Sequence, residues 1–189
     1  MRWFKKVSFL FLALLLPIAI FIFLKSFGEN EFAVPPLFRE VVDGPVECKS
    51  FVYKSPYTIH DSVLSHVGWI KNDSIAVLVF DDAVLKNQHE KSVQVNRIFT
   101  EFPPEKFHIV YLSEKYDVEK TKPSGNKLII FKAVHELFFT YRNCVFLLKP
   151  SDNVVMVDSK MRIRGQYDLT DLEDADRLIM EMKIILKKY

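Results

Sequence analysis

Val154-Val-Met-Val-Asp158, then Met161-Arg-Ile-Arg-Gly-Gln-Tyr-Asp168, then the run from Thr170 to Tyr189 are the stretches on which the fold turns. The first two read as strands, and the short Ser159-Lys160 turn between them makes the pair antiparallel. Thr170 and Glu173 stand at capping-box spacing, so a helix is expected to start there. Apolar residues recur at Leu172, Ala175, Leu178, Ile179, Met182, Ile185 and Leu186, along one side of that helix. Asp171, Glu173, Asp174 and Asp176 crowd its first turns and Lys183, Lys187 and Lys188 its last, which complements the helix dipole.

Working back from this closing unit, Cys144 to Leu148 reads as another apolar strand, followed by a turn at Pro150-Ser-Asp-Asn153. A helix of about ten residues is expected from Ala133, after an apolar segment at Leu128 to Phe131. Ser113 to Asn126 reads as a polar loop and His108 to Leu112 as a strand. A helix over Lys86 to Phe102 is ended by Pro103-Pro104. Ile75 to Phe80 is continuously apolar, as in a strand covered on both faces. Tyr57 to Trp69 is expected to hold a short hairpin or edge strand. Strands alternating with helices indicate an α/β domain built on a largely parallel sheet.

The N-terminus is of another kind. Arg2, Lys5 and Lys6 precede an apolar run from Val7 to Leu24, interrupted only by Ser8 and Pro17. Its eighteen residues would extend about 27 Å as a helix, close to the thickness of a bilayer's hydrocarbon core. Lys25-Ser-Phe-Gly28 has no Ala-x-Ala cleavage pattern, so the expectation is an uncleaved transmembrane anchor over 1–25, a spacer over 26–55 and a domain over 56–189. The basic flank places the N-terminus in the cytoplasm and the domain on the periplasmic or extracytoplasmic side. The formal charge of +2 hides this division: beyond residue 25 the chain has 22 basic and 24 acidic residues, a net of −2. No basic face points to nucleic acid.

The order βαβ, an α connection and ββα is the thioredoxin-like arrangement. The chain resembles membrane-anchored Sco/SenC-type proteins of Bacteroidetes-like bacteria. The matching pieces are Phe23-Leu-Lys-Ser-Phe-Gly-Glu-Asn30, the Val154–Asp158 strand, Arg162 to Asp168, and Thr170-Asp171 leading into Asp176-Arg177-Leu178-Ile179. The resemblance implies a thioredoxin-like scaffold and a family whose members bind copper and assist assembly of cytochrome oxidase. It also implies two cysteines three residues apart where the first core strand meets its helix, and a histidine just before the penultimate strand. Soft thiolates and an imidazole suit copper, and a helix N-terminus lowers a thiol pKa. In this chain those positions fall near Val84, Gln88 and Pro150, none of which supplies such a ligand. The expectation is therefore a degenerate, non-catalytic member with no cofactor, no metal site and no catalytic residues, and a role in binding a protein partner at the membrane.

Other side chains are candidates for the missing chemistry. Cys48 and Cys144, the only cysteines, are too distant in sequence for a CxxC motif. They leave open one disulfide, or a redox or copper-handling pair, against the simpler expectation of two separate thiols. His89 near the altered motif, the His60, Asp61 and His66 group, and the adjacent carboxylates Asp81 and Asp82 are candidate ligands or acid–base groups. Each is expected to be solvated, at a helix start, in a loop or at a strand end, and His135 to pack with Phe138 and Phe139. Asn72-Asp-Ser fits a glycosylation acceptor, while no Gly-rich phosphate loop, GxSxG or HExxH occurs.

Overall fold

Ile75–Asp81 (β1) is apolar at every position but its last, and every residue of it is buried. Such a strand requires cover on both faces, and the computed structural model of the chain supplies it. The structure describes residues 14–23, 25, 33–68, 75–81, 88–103, 105–114 and 128–188. Asn72, Asp82 and Val84 lie outside the described residues. Contacts divide the chain into one unit ending at Ala33 and a second from Val34 to Tyr189. In the first, residues 14–23 are helical and exposed. Among the described residues no helix is long and apolar enough to cross a membrane. Most of the expected anchor lies outside them.

The second unit is a five-stranded mixed sheet. Its strands are β1, Phe107–Ser113 (β2), Leu128–Lys132 (β3), Val154–Asp158 (β4) and Ile163–Tyr167 (β5), in spatial order β3-β2-β1-β4-β5. β1, β2 and β3 are parallel; β4 runs antiparallel to both β1 and β5. Side chains alternate along β1 as a pleated strand demands. Ile75, Val77 and Val79 enter one core with Val95 and Ile98 of helix Gln88–Glu101 (α2) and Leu178, Met182 and Ile185 of helix Leu172–Lys188 (α4). Ala76, Leu78 and Phe80 enter the other, with Leu64 of the short helix Asp61–His66 (α1) and Phe138 of His135–Phe139 (α3).

The α/β class and its thioredoxin-like element order agree with the sequence reading, and β4, β5 and α4 lie where the sequence placed them. The helix cap moves by one residue. Asp171, rather than Thr170, accepts the Glu173 amide at 2.9 Å, while the Thr170 hydroxyl donates to Asp168 at 2.7 Å. A register shift between Met156 and Val157 sets Arg164 outside the ladder, as a β-bulge does. Ile163 thereby packs in one core and Tyr167 in the other. Gly165 is required beside it, since a Cβ there would lie 1.9 Å from the Tyr167 hydroxyl.

Two expectations fail. Tyr57 to Gly68 contains α1 and no strand. Cys144 to Leu148 is not a strand either: α3 runs into a π-helical turn, Thr140–Val145, and an irregular segment leads to β4. From Val34 onward, the stretch expected as a spacer is joined to the sheet. Leu37 N–H donates to Ile163 O at 2.8 Å and Ile59 N–H to Met161 O at 2.8 Å. We call residues 34–59 the strap.

Candidate functional site

The carboxyl ends of parallel strands form the usual functional edge of an α/β sheet. Here the pairing sets Asp81, Ser113 and Lys132 side by side at that edge. Asp81 is buried rather than solvated, and its Oδ1 lies 3.6 Å from Lys91 Nζ on α2. Both side chains are almost sealed, at 4% and 2% exposed. Lys91 also donates to Phe80 O at 3.4 Å. Asp81 is thus committed to an ion pair one turn inside α2, and Lys91 is the residue that the sequence reading missed. Its signal was available: Lys91, Val95, Ile98 and Phe102 share one helical stripe, so the lysine occupies an apolar position.

The expected ligand positions are occupied by other chemistry. Gln88 opens α2, and His89 beside it is exposed, its carbonyl accepting from Ser92 Oγ at 2.7 Å. Pro150 lies in a loop held by Arg142, whose guanidinium donates to Lys149 O at 3.1 Å, Pro150 O at 3.1 Å and Asp152 O at 2.9 Å. His135 at the start of α3 meets Glu114 at 2.7 Å but is largely exposed, so it is not core packing as expected. His60 and His66 stand at opposite ends of α1: His60 accepts the Ser62 amide at the helix start, while His66 Nδ1 lies 2.6 Å from the Tyr141 hydroxyl. Among the described residues no group of three or more His, Cys, Asp or Glu side chains is gathered to hold a metal ion.

Cys48 and Cys144 are bonded to each other, correcting the expectation of two separate thiols. The bond joins a 3₁₀ turn of the strap, Val46–Cys48, to the π-helical turn, with the Cα atoms 5.4 Å apart. The two cysteines are 1% and 4% exposed. The turn that removes Cys144 from a strand also explains its surroundings. Carbonyls at a helix end have no partner within the helix, and here side chains supply the donors. Tyr53 donates to Cys144 O at 2.9 Å and Tyr57 to Val145 O at 2.6 Å. Gln166 then donates to Phe146 O at 3.0 Å and Leu147 O at 2.7 Å. Burial, with the neighbouring Tyr53, pushes the Tyr57 phenol far above its ordinary value of 10.0.

The strap is pinned a second time at its start. The Asp158 carboxylate, fully buried, accepts from the amides of Lys160 and Arg162 at 2.9 and 3.0 Å. It also accepts from Arg162 Nε at 2.9 Å and from Arg164 at 3.2 Å. Arg164 in turn donates to the Val34 carbonyl. The Asp81–Lys91 pair and the Asp158–Arg162–Arg164 cluster therefore join α2 and the strap to the sheet.

No family model matches the chain, and no curated protein does. Solved structures similar to it include a SCO1/SenC family lipoprotein from Bacillus anthracis, at 11% identity over 60% of this chain and 82% of that one, with a TM-score of 0.47. The thioredoxin domain of a thiol-disulfide oxidoreductase from Bacteroides vulgatus is similar at 10% identity over 59% and 81%, TM-score 0.45. The apo Sco1 protein from Thermus thermophilus is similar at 14% identity over 64% and 81%, TM-score 0.41. The chain is thus similar to Sco/SenC and thioredoxin-like proteins, at low identity and with its cysteine pair closed as Cys48–Cys144 rather than set in a CxxxC motif.

Proposed function

We propose that the chain is a membrane-anchored, exported, degenerate Sco/SenC-like protein whose thioredoxin-like domain binds a protein partner and performs no redox or copper chemistry. The observation that carries this reading is the placement of the cysteines. Thiol–disulfide exchange proceeds by attack of a thiolate on an accessible disulfide sulfur. This chain has two cysteines, both buried in the one disulfide that ties the strap to the π-helical turn. Meanwhile Gln88 and Pro150 stand at positions where the resemblance requires ligands, and the edge beside them is taken by the Asp81–Lys91 ion pair. The N-terminal apolar run supports anchoring, and its basic flank supports export of the domain.

The rival is a thiol–disulfide or copper-handling protein that uses Cys48 and Cys144. Two measurements on the full chain in detergent micelles separate the readings. Thiol counting with and without reductant, followed by a disulfide-exchange assay, should find no free thiol before denaturation and no exchange. Cu(I) titration should show no tight stoichiometric binding. Stoichiometric Cu(I) uptake, or turnover in exchange, would sink the non-catalytic reading.

A further inference from the structure

At the end of the sheet opposite Asp81, a cleft of about 750 Å³ opens between the strap and the β4–β5 turn. That is within the usual size range of binding clefts, roughly 300–1,000 Å³. Phe51, Val52, Tyr53 and Tyr57 supply its aromatic and aliphatic wall, and Lys54 and Lys160 stand at its rim. The hydroxyls of Tyr53 and Tyr57 are spent inward, on the carbonyls of Cys144 and Val145. What the two residues offer the cleft is therefore ring surface. Val52 is 83% exposed and Phe51 is partly so, unusual for side chains of this type beside a concavity. Lys54 and Lys160 are exposed, and neither side chain has an ion-pair partner among the described residues. An apolar wall with two lysines against the one carboxylate of Asp61 keeps an excess of positive charge, whose complementary ligand is an apolar side chain flanked by carboxylates.

We propose that this cleft is the docking site for an acidic peptide segment of a protein partner, which buries an aromatic or aliphatic side chain against Tyr53, Tyr57 and Val52 and sets its carboxylates against Lys54 and Lys160. Tyrosine-rich walls are the usual anchors of such contacts. A lipid surface is the competing occupant for aromatic residues beside lysines, but a flat bilayer does not fill a concavity. The small area predicts a weak, transient association. The proposal rests on the partner-binding reading above, and its test is separate from the copper and exchange assays: those can succeed while this one fails.

The test uses the full chain in zwitterionic micelles and a fluorescent peptide, Ac-Gly-Asp-Phe-Glu-Leu-Asp-Gly-NH2, followed by anisotropy and by the amide signals of Val52, Tyr57 and Lys160. The acidic peptide should bind at or below about 1 mM, and its counterpart with lysine at each acidic position at least roughly tenfold more weakly. Lys54→Glu and Lys160→Glu lie on the surface and should each weaken binding roughly fivefold without changing the fold. Val52→Asp should weaken it as well. No binding of the acidic peptide, equal binding of both peptides, or unchanged affinity in both lysine variants would overturn the proposal. So would movement of these signals only when the chain is placed in a phosphatidylserine-containing nanodisc, which would assign the cleft to the membrane.

Discussion

Replacing both cysteines, as Cys48→Ala with Cys144→Ala, tests whether the disulfide is a structural clamp. The bond closes a separation of 96 residues, and loop-closure entropy for a loop near that length corresponds to about 4.7 kcal/mol of constraint on the unfolded chain. Two effects move the net value. The strap keeps its other attachments in the variant, through Leu37, Ile59, Arg164, Tyr53 and Tyr57, so the folded form persists. Two buried sulfurs are lost from a closed site, which adds a cavity cost. A net loss of about 3–5 kcal/mol is expected. Urea unfolding of the full chain in micelles, followed by circular dichroism, reads it. The denaturant midpoint should fall and the slope m should rise, because an unlinked chain exposes more surface on unfolding. Oxidised wild type assayed with a dithiol reductant should approach the same curve once unfolded. A loss below about 1 kcal/mol with an unchanged slope would refute the clamp, because the entropy argument depends only on the bond and its span. It would also revive the idea that the pair is kept for exchange.

Three further outcomes follow from the other attachments. Tyr57→Phe leaves the Val145 carbonyl buried without its donor and should cost about 1–2 kcal/mol. Because the folded-state phenol of Tyr57 is raised above 10.0, its contribution is intact below pH 10 and is lost as pH rises further, when the unfolded chain ionises first; wild type should lose stability above pH 10 more steeply than Tyr57→Phe, as alkaline melts would show. Lys91→Met removes the buried cation beside the Asp81 carboxylate and should cost about 3–5 kcal/mol, whereas adding Asp81→Val should recover most of it; a double-mutant cycle that is additive within about 0.5 kcal/mol would deny the pair. Asp158→Asn removes the charge that Arg162 and Arg164 share and should cost about 3 kcal/mol, with the amides of residues 34–38 exchanging hydrogen faster than in wild type.

The parts of the fold that sequence pattern conveys are those whose forces are local. α4 declares itself through its period, its acidic start and its basic end, and β1 through an unbroken apolar run. Cys144 to Leu148 misleads because apolar composition records burial and not backbone pairing. Its carbonyls are satisfied by Tyr53, Tyr57 and Gln166, two of them roughly ninety residues upstream, and no window along the chain contains that information. α1 is too short to show a period; its signal was His60 at the cap rather than an apolar stripe. At the edge of the sheet the sequence shows directly that Gln88 and Pro150 are neither cysteine nor histidine. The buried lysine could have been read from its stripe, but a charged residue in an apolar register is easily mistaken for the solvated face.

The strap gives these observations a common physical sense. A thioredoxin-like sheet that uses a cysteine pair for exchange must leave one sulfur open to attack. In this chain both sulfurs are buried in the bond that ties the strap to the π-helical turn, and the edge beside α2 holds a buried lysine against Asp81. The same covering segment that closes the disulfide forms one wall of the cleft at the other end of the sheet, through Tyr53 and Tyr57. On the readings proposed above, one segment would both withhold the cysteines from exchange and supply a recognition surface. Its two roles are separable by experiment, because Lys54 and Lys160 contribute to the rim without contributing to the clamp. Loss of the clamp should weaken peptide binding together with stability, whereas the lysine variants should weaken binding alone. Equal loss of stability in Lys160→Glu would mean that the rim is part of the fold's support, and the separation of roles would fail.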